Sequence, residues 1–276
     1  MMYYLSADVN AFEKIVAFLG KTAEQPRMYG VFHVVSLCII FAVTLFAFLY
    51  RERLSEKFLA YSMLVFGIIM TVFEIYKQIV ISYISETDTW TYAWSIFPFQ
   101  FCSTPIYITL IAFAMYKLGK TRLFKTFTVF LGTYSLIGAT VVLFIGTGTV
   151  LNPIIGINVQ TMLHHGIMFV LAAMILFSDK IELTLKTVFD SFKLFCVLVV
   201  MALVLNKVFR GKTDFDMFYI AEDSEFVYPF FKELFGGELP HCVYVMGYVA
   251  LFTLGVFIIV GIRRLFIGKG KKARDL

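Results

Sequence analysis

A thiol, two adjacent imidazoles and a carboxylate–ammonium pair are the reactive groups that this chain places inside its most apolar stretches: Cys102, His164 with His165, and Glu74 with Lys77. A thiol at its ordinary pKa is mostly protonated at neutral pH. An imidazole that takes the proton yields a thiolate, which is the actual nucleophile. Thiolate attack on an ester carbonyl gives a thioester, and that intermediate can pass its acyl group to water or to another hydroxyl. The step needs a donor for the oxyanion, and Gln100 and Lys77 are candidates. Glu74 and His164 complete the set of residues with a catalytic or substrate-orienting reading. Each also has a plainer one. A cysteine in an apolar helix serves as a small hydrophobe, and Glu74 with Lys77, three residues apart, can neutralise each other and fix helix packing.

The elements that must carry these groups are membrane spans. Apolar runs of the length that crosses roughly 30 Å of hydrocarbon occur at 30–50, 58–84, 96–116, 124–146, 159–177, 188–208 and 243–262. Only helices satisfy their own backbone over such runs in lipid. The expected fold is therefore all-α, a polytopic bundle of about seven transmembrane helices forming a single domain over 1–276. Composition requires the same conclusion: 60% of residues are apolar and 16% charged, against about 45–50% and about 25% in a soluble domain. No cleavable signal peptide is evident, so the first span is expected to act as its own signal.

Lysine and arginine set the orientation. They occur in the 51–57, 117–123 and 178–187 loops and are absent from 85–95 and 147–158. Six more (Arg263, Arg264, Lys269, Lys271, Lys272 and Arg274) make 263–276 a basic cytoplasmic tail. This predicts N-out, C-in. The formal charge of +5 is thus an anchoring and orienting charge, and no basic face for nucleic acid is present. Residues 1–29 are read as an amphipathic N-terminal segment, with Phe12, Ile15, Val16 and Leu19 at helical spacing behind an Asp8 cap. The outer loop 209–242 contains a second candidate interfacial helix, 224–237.

With that topology, Cys102 and His165 each lie six residues inside the outer boundary, about 9 Å deep, and Lys77 about 10 Å deep. Thiol, imidazole, ammonium and carboxylate share one layer. Adjacent helical positions differ by about 100°, so the two histidines point apart. His165 shares a face with Thr161 and Ala172, small or polar residues expected toward the interior, and His164 one with Gln160 and Leu171. His165 is therefore preferred as the base, with His164 left as the alternative. Asp190 and Lys193 are read as snorkelling near the inner end, and His33 and His241 as interfacial. Cys38, Cys102, Cys196 and Cys242 show no CxxC spacing. Two adjacent histidines are not a metal-ligand pair on one helix face, and no metal or organic cofactor is expected.

The run Phe97-Pro98-Phe99-Gln100-Phe101-Cys102-Ser103 resembles the LPxHxC signature of YwaF-like bacterial membrane proteins, a group similar to the eukaryotic transmembrane protein 164 acyltransferases. Glu74 with Lys77, the His165-Gly166 step, Asn206 followed by FDMFYI, and Leu239-Pro240 before the last helix extend the resemblance over nearly the whole chain. It implies an acyltransferase working through a cysteine intermediate, with Cys102 as nucleophile and His165 as base. The eukaryotic relatives move a fatty acyl chain from a phospholipid to an ether-linked lysophospholipid. A more distant similarity is to androgen-induced membrane hydrolases, which use Thr and His. Gln100 stands where the family usually has His, and Asp216 where relatives often have Asn. The expected function is phospholipid acyl transfer in a bacterial cytoplasmic membrane, with phospholipid and lysophospholipid as substrates. A transporter or channel, whose path would be the polar layer, and a lipid ester hydrolase using the same Cys/His pair are the alternatives.

Overall fold

Apolar runs of helical length dominate the chain, and a computed structural model shows them as one helical bundle, described over residues 10–84, 87–222, 224 and 228–274. In chain order the helices are α1 Ala11–Leu19, α2 Val31–Leu49, α3 Glu56–Ser82, α4 Thr104–Lys117, α5 Thr121–Gly132, α6 Tyr134–Phe144, α7 Thr147–Val150, α8 Ile155–Phe177, α9 Leu185–Val208, α10 Tyr228–Phe235 and α11 His241–Arg274. A short antiparallel hairpin, β1 (Tyr83–Ile84) with β2 (Thr89–Trp90), follows α3. Among the described residues six helical segments are long and apolar enough to cross a membrane, and a seventh, Phe101–Lys117, is shorter.

Two expected spans are not single helices. The 96–116 run begins as irregular backbone and a 3-10 turn (Phe101–Ser103) before α4 starts. Pro105 sits in the first turn of α4, where a missing N–H costs nothing. The 124–146 run breaks at Thr133 (φ −124°, ψ −75°) into α5 and α6. A Cβ on Gly132, just before the break, would lie 2.7 Å from Ile175, so glycine there permits α5 to touch α8.

The centre of the bundle is α8, with 78% of its span buried, and it packs against α2, α3, α5 and α6. By contrast α11 is peripheral, with 17% of its span buried. It is nevertheless tied to α8 by Arg263, which donates to the carbonyls of Leu176, Ser178 and Ile181 at 2.9, 2.7 and 2.7 Å. Arg263 is thus held against the end of α8, and α11 runs on to Arg274.

Several polar residues have structural partners where a surface position was expected. His33 is fully buried rather than interfacial: its Nδ1 accepts from the Tyr29 N–H at 2.9 Å and its Nε2 donates to the Leu143 carbonyl at 3.0 Å. His241 donates to the Ile220 carbonyl at 2.7 Å. Asp190 does not snorkel alone; it receives a bidentate pair of bonds from Arg122, both 3.0 Å, joining α5 to α9. α1 is capped by a box between Asn10 and Glu13, while Asp8 lies outside the described residues. Val16 packs on Val80 and Ile157, and Phe12 stacks on Trp90. The second candidate interfacial segment contains α10, whose Phe231 is buried and whose Phe230, Leu234 and Phe235 are exposed; residues 225–227 lie outside the description.

Candidate functional site

Three elements converge on Cys102. The 3-10 turn presents the thiol, α3 brings Glu74, Lys77 and Gln78, and α8 brings both histidines. The turn forms because Gln100, in extended conformation, accepts the N–H groups of Ser103 and Thr104 at 2.8 and 3.2 Å. The Cys102 side chain packs against Met70, Ile106, Ala139, Ile167 and Met168. Cys102 is half-buried.

His164 and His165 are both buried, at 4% and 6% exposure. Sequence spacing separates their faces, but both fall within the buried part of α8, whose exposed stripe is Ile155, Val159 and Leu163. His164 Nε2 lies 2.8 Å from the carbonyl oxygen of Cys102. A carbonyl can only accept, so Nε2 carries the hydrogen and Nδ1 keeps the lone pair. His165 Nδ1 lies 2.8 Å from the Thr161 carbonyl, which fixes the other tautomer and leaves the lone pair on Nε2. Among the described residues neither lone-pair nitrogen has a hydrogen-bond partner. The rings are 5.3 Å apart between centroids and tilted by 66°. The following Gly166 allows α2 to approach, since a Cβ there would lie 2.9 Å from Ile40. The imidazole on the Cys102 peptide is thus His164, not the preferred His165.

Glu74 and Lys77 form an ion pair of 2.9 Å, with their side chains 8% and 17% exposed. Gln78 donates to Glu74 Oε1 at 2.7 Å and to the Ile96 carbonyl at 2.6 Å, tying the pair to the segment that leads into Cys102. His164 thus meets the Cys102 backbone, and the Glu74–Lys77 pair is tied through Gln78 to the segment that precedes it.

Gln100 has a different use from oxyanion donation. Its amide donates to the Asp216 carbonyl at 2.7 Å and accepts from the Phe218 N–H at 3.0 Å. Asn206 grips the same loop, donating to the Met217 carbonyl at 3.0 Å and accepting its N–H at 2.7 Å. Asp216 accepts the Ala221 N–H at 2.8 Å. Phe218 and Tyr219 both have positive φ, 62° and 57°, which is strained for bulky side chains and persists only where the surroundings enforce it. The enforcement is visible: Phe218 stacks on Phe99 and meets Phe101 edge to face, and the Tyr219 carbonyl accepts from Ser224 and Tyr244. Ser103, Phe218 and Tyr219 were not singled out as site residues by sequence reasoning; FDMFYI marked the loop only as part of the family resemblance.

Cys38, Cys196 and Cys242 lie outside this cluster. Among the described residues no three of His, Cys, Asp and Glu converge as a metal cage. Two adjoining apolar grooves of about 400 Å³ each lie between α9 and α11, lined by Phe192 and Thr253 in common, and do not touch Cys102.

Membrane-spanning helices gathered round a buried α8, with a Cys/His/Lys/Glu cluster at the start of a short α4, define a multi-pass integral membrane protein with a polar intramembrane site. The model of the TMEM164 family matches residues 28–261, and the chain belongs to that family. No curated protein and no solved structure matches the chain.

Proposed function

We propose that the protein is a phospholipid acyltransferase working through an acyl-thioester on Cys102, with the α8 imidazoles managing its proton. The observation that carries this reading is the 2.8 Å bond from His164 to the Cys102 carbonyl. It ties an imidazole with a free lone pair to the residue that bears the thiol. His164 becomes the base for thiol deprotonation, in place of the His165 assignment suggested by helix faces and family resemblance. Lys77 supplies positive charge for the developing oxyanion, and Gln100 positions Cys102 through the 216–218 loop. With the N-out, C-in orientation expected from the loop lysines and arginines, the thiol faces the outer leaflet of a bacterial cytoplasmic membrane, about 9 Å below the boundary where the lipid esters lie. A phospholipid is the acyl donor and a lysophospholipid the acceptor.

Intact-protein mass spectrometry tests this. Purified protein incubated with phospholipid carries one acyl group on Cys102, and Cys102→Ala carries none. Lipid profiles of cells with and without the protein differ in acyl composition. A wild-type protein without the adduct, together with unchanged lipid profiles, overturns the reading. A transporter tolerates Cys102→Ser in uptake assays; a thioester enzyme loses turnover.

A further inference from the structure

The two adjoining grooves leave α9 and α11 open to each other from the bundle surface inward. Leu185, Phe189 and Phe192 stand on the α9 wall, and Val245, Val249 and Phe257 on the α11 wall. Thr253 is the one hydroxyl in the lining, and it is already used: its Oγ1 donates to the Val249 carbonyl at 2.7 Å and lies 3.5 Å from the Tyr134 hydroxyl. The recess therefore offers water no partner, and in hydrocarbon it is filled by apolar matter. From Phe257 to Val245 it runs about 18 Å along α11, against about 15 Å for one leaflet, half of a layer of about 30 Å. Its two ends differ in charge. At the Leu185 end Lys186 and Lys193 are exposed, and the Lys193 ammonium lies 4.6 Å from the centre of the Phe189 ring. Asp190 is shared between Arg122 at 3.0 Å and Lys193 at 3.6 Å, so one carboxylate meets two cations. Exposed Arg264 on α11 outweighs Glu182 on the loop before α9. The lining at the other end, Val245 and Met246 included, carries no charge.

We propose that the α9–α11 groove holds one anionic phospholipid, with its headgroup at Lys186 and Lys193 and an acyl chain laid along α11. The cationic rim selects the headgroup, and the dry, leaflet-long recess takes the chain. The site is separate from Cys102, and its lipid is retained rather than consumed, so the assignment stands whether or not a thioester forms. Its position gives it a structural effect. Tyr134 stacks on Phe195 at 4.5 Å, and Phe195 meets Phe252 at 5.5 Å. Both phenylalanines also meet Phe101, the neighbour of Cys102, at 5.8 and 4.8 Å. A chain in the groove fastens the peripheral α11 to α9 and supports this aromatic layer, on which the turn bearing the thiol rests.

Native mass spectrometry of the full-length protein in mild detergent tests the assignment, with dioleoylphosphatidylglycerol and dioleoylphosphatidylcholine titrated in turn. The wild-type monomer retains one phosphatidylglycerol in preference to phosphatidylcholine. The double variant Lys186→Gln with Lys193→Gln, which changes only exposed side chains, weakens phosphatidylglycerol binding about 30-fold, the scale of two lysines beside an anionic headgroup, and leaves phosphatidylcholine binding as it was. Phosphatidylglycerol with a diazirine in its acyl chain crosslinks to wild-type peptides carrying Phe192 and Val249, and Ala250→Trp, which fills the groove, removes those crosslinks. Equal retention of the two lipids by the wild type, unchanged phosphatidylglycerol binding in the lysine variant, or crosslinks confined to other helices overturns the proposal. A lipid-free dimer joined through Phe192 and Val249 also overturns it, because the groove then belongs to a second copy of the chain.

Discussion

Lys77 and Glu74 illustrate why intramembrane charge is conditional on its partner. Their 2.9 Å pair is largely out of solvent, so each charge is tolerated because the other is there. Breaking such a pair by removing one member costs about 3–5 kcal/mol, whereas replacing both with neutral groups costs far less. Lys77→Met is accordingly expected to lower unfolding stability in detergent by that amount. The double variant Lys77→Met with Glu74→Gln should recover most of it, as a double-mutant cycle reads. If the pair only packs α3, the double variant still acylates Cys102 at the wild-type rate; if Lys77 stabilises an oxyanion, stability returns and acylation does not.

At the scale of elements, the segment 97–103 and the loop 215–221 act as one unit, joined by Gln100 and by the stacking of Phe99, Phe218 and Phe101. Gln100→Ala leaves the Phe218 N–H without its acceptor, a loss of about 1–3 kcal/mol. The melting temperature in detergent should fall, and loading of Cys102 should slow, because the turn bearing the thiol loses its anchor. The spans were legible from the sequence because a run of apolar residues needs no partner to be recognised. The meeting of α8 with the Cys102 segment, seen in the His164 bond to the Cys102 carbonyl, was legible because helix depth is arithmetic on residue number. The role of Gln100 was not, since its partners lie 116 and 118 residues away and no local pattern encodes them. The partner of His33 was not legible for the same reason: the Leu143 carbonyl belongs to another helix. Helix faces alone do not separate His164 from His165, because the exterior stripe of α8 is Ile155, Val159 and Leu163 and both histidines fall off it.

For the whole molecule, the length of the helical segment behind Cys102 sets a relation to the bilayer. Phe101–Lys117 has 17 residues and reaches about 27 Å, while the 23 residues of α8 reach about 35 Å and a typical hydrocarbon layer measures about 30 Å. Hydrophobic mismatch therefore falls on one side of the bundle, where lipid must thin locally to meet the short segment. Ester carbonyls would be drawn toward the sulfur most readily in thin bilayers. Reconstituted in vesicles of fourteen-carbon phosphatidylcholine, the protein should load Cys102 faster than in twenty-two-carbon vesicles, with intact-mass time courses as the readout; equal rates would count against this coupling. Membrane thickness would then act as a rate-setting variable for the chemistry, so that a cell adjusting its chain lengths also adjusts this protein's turnover.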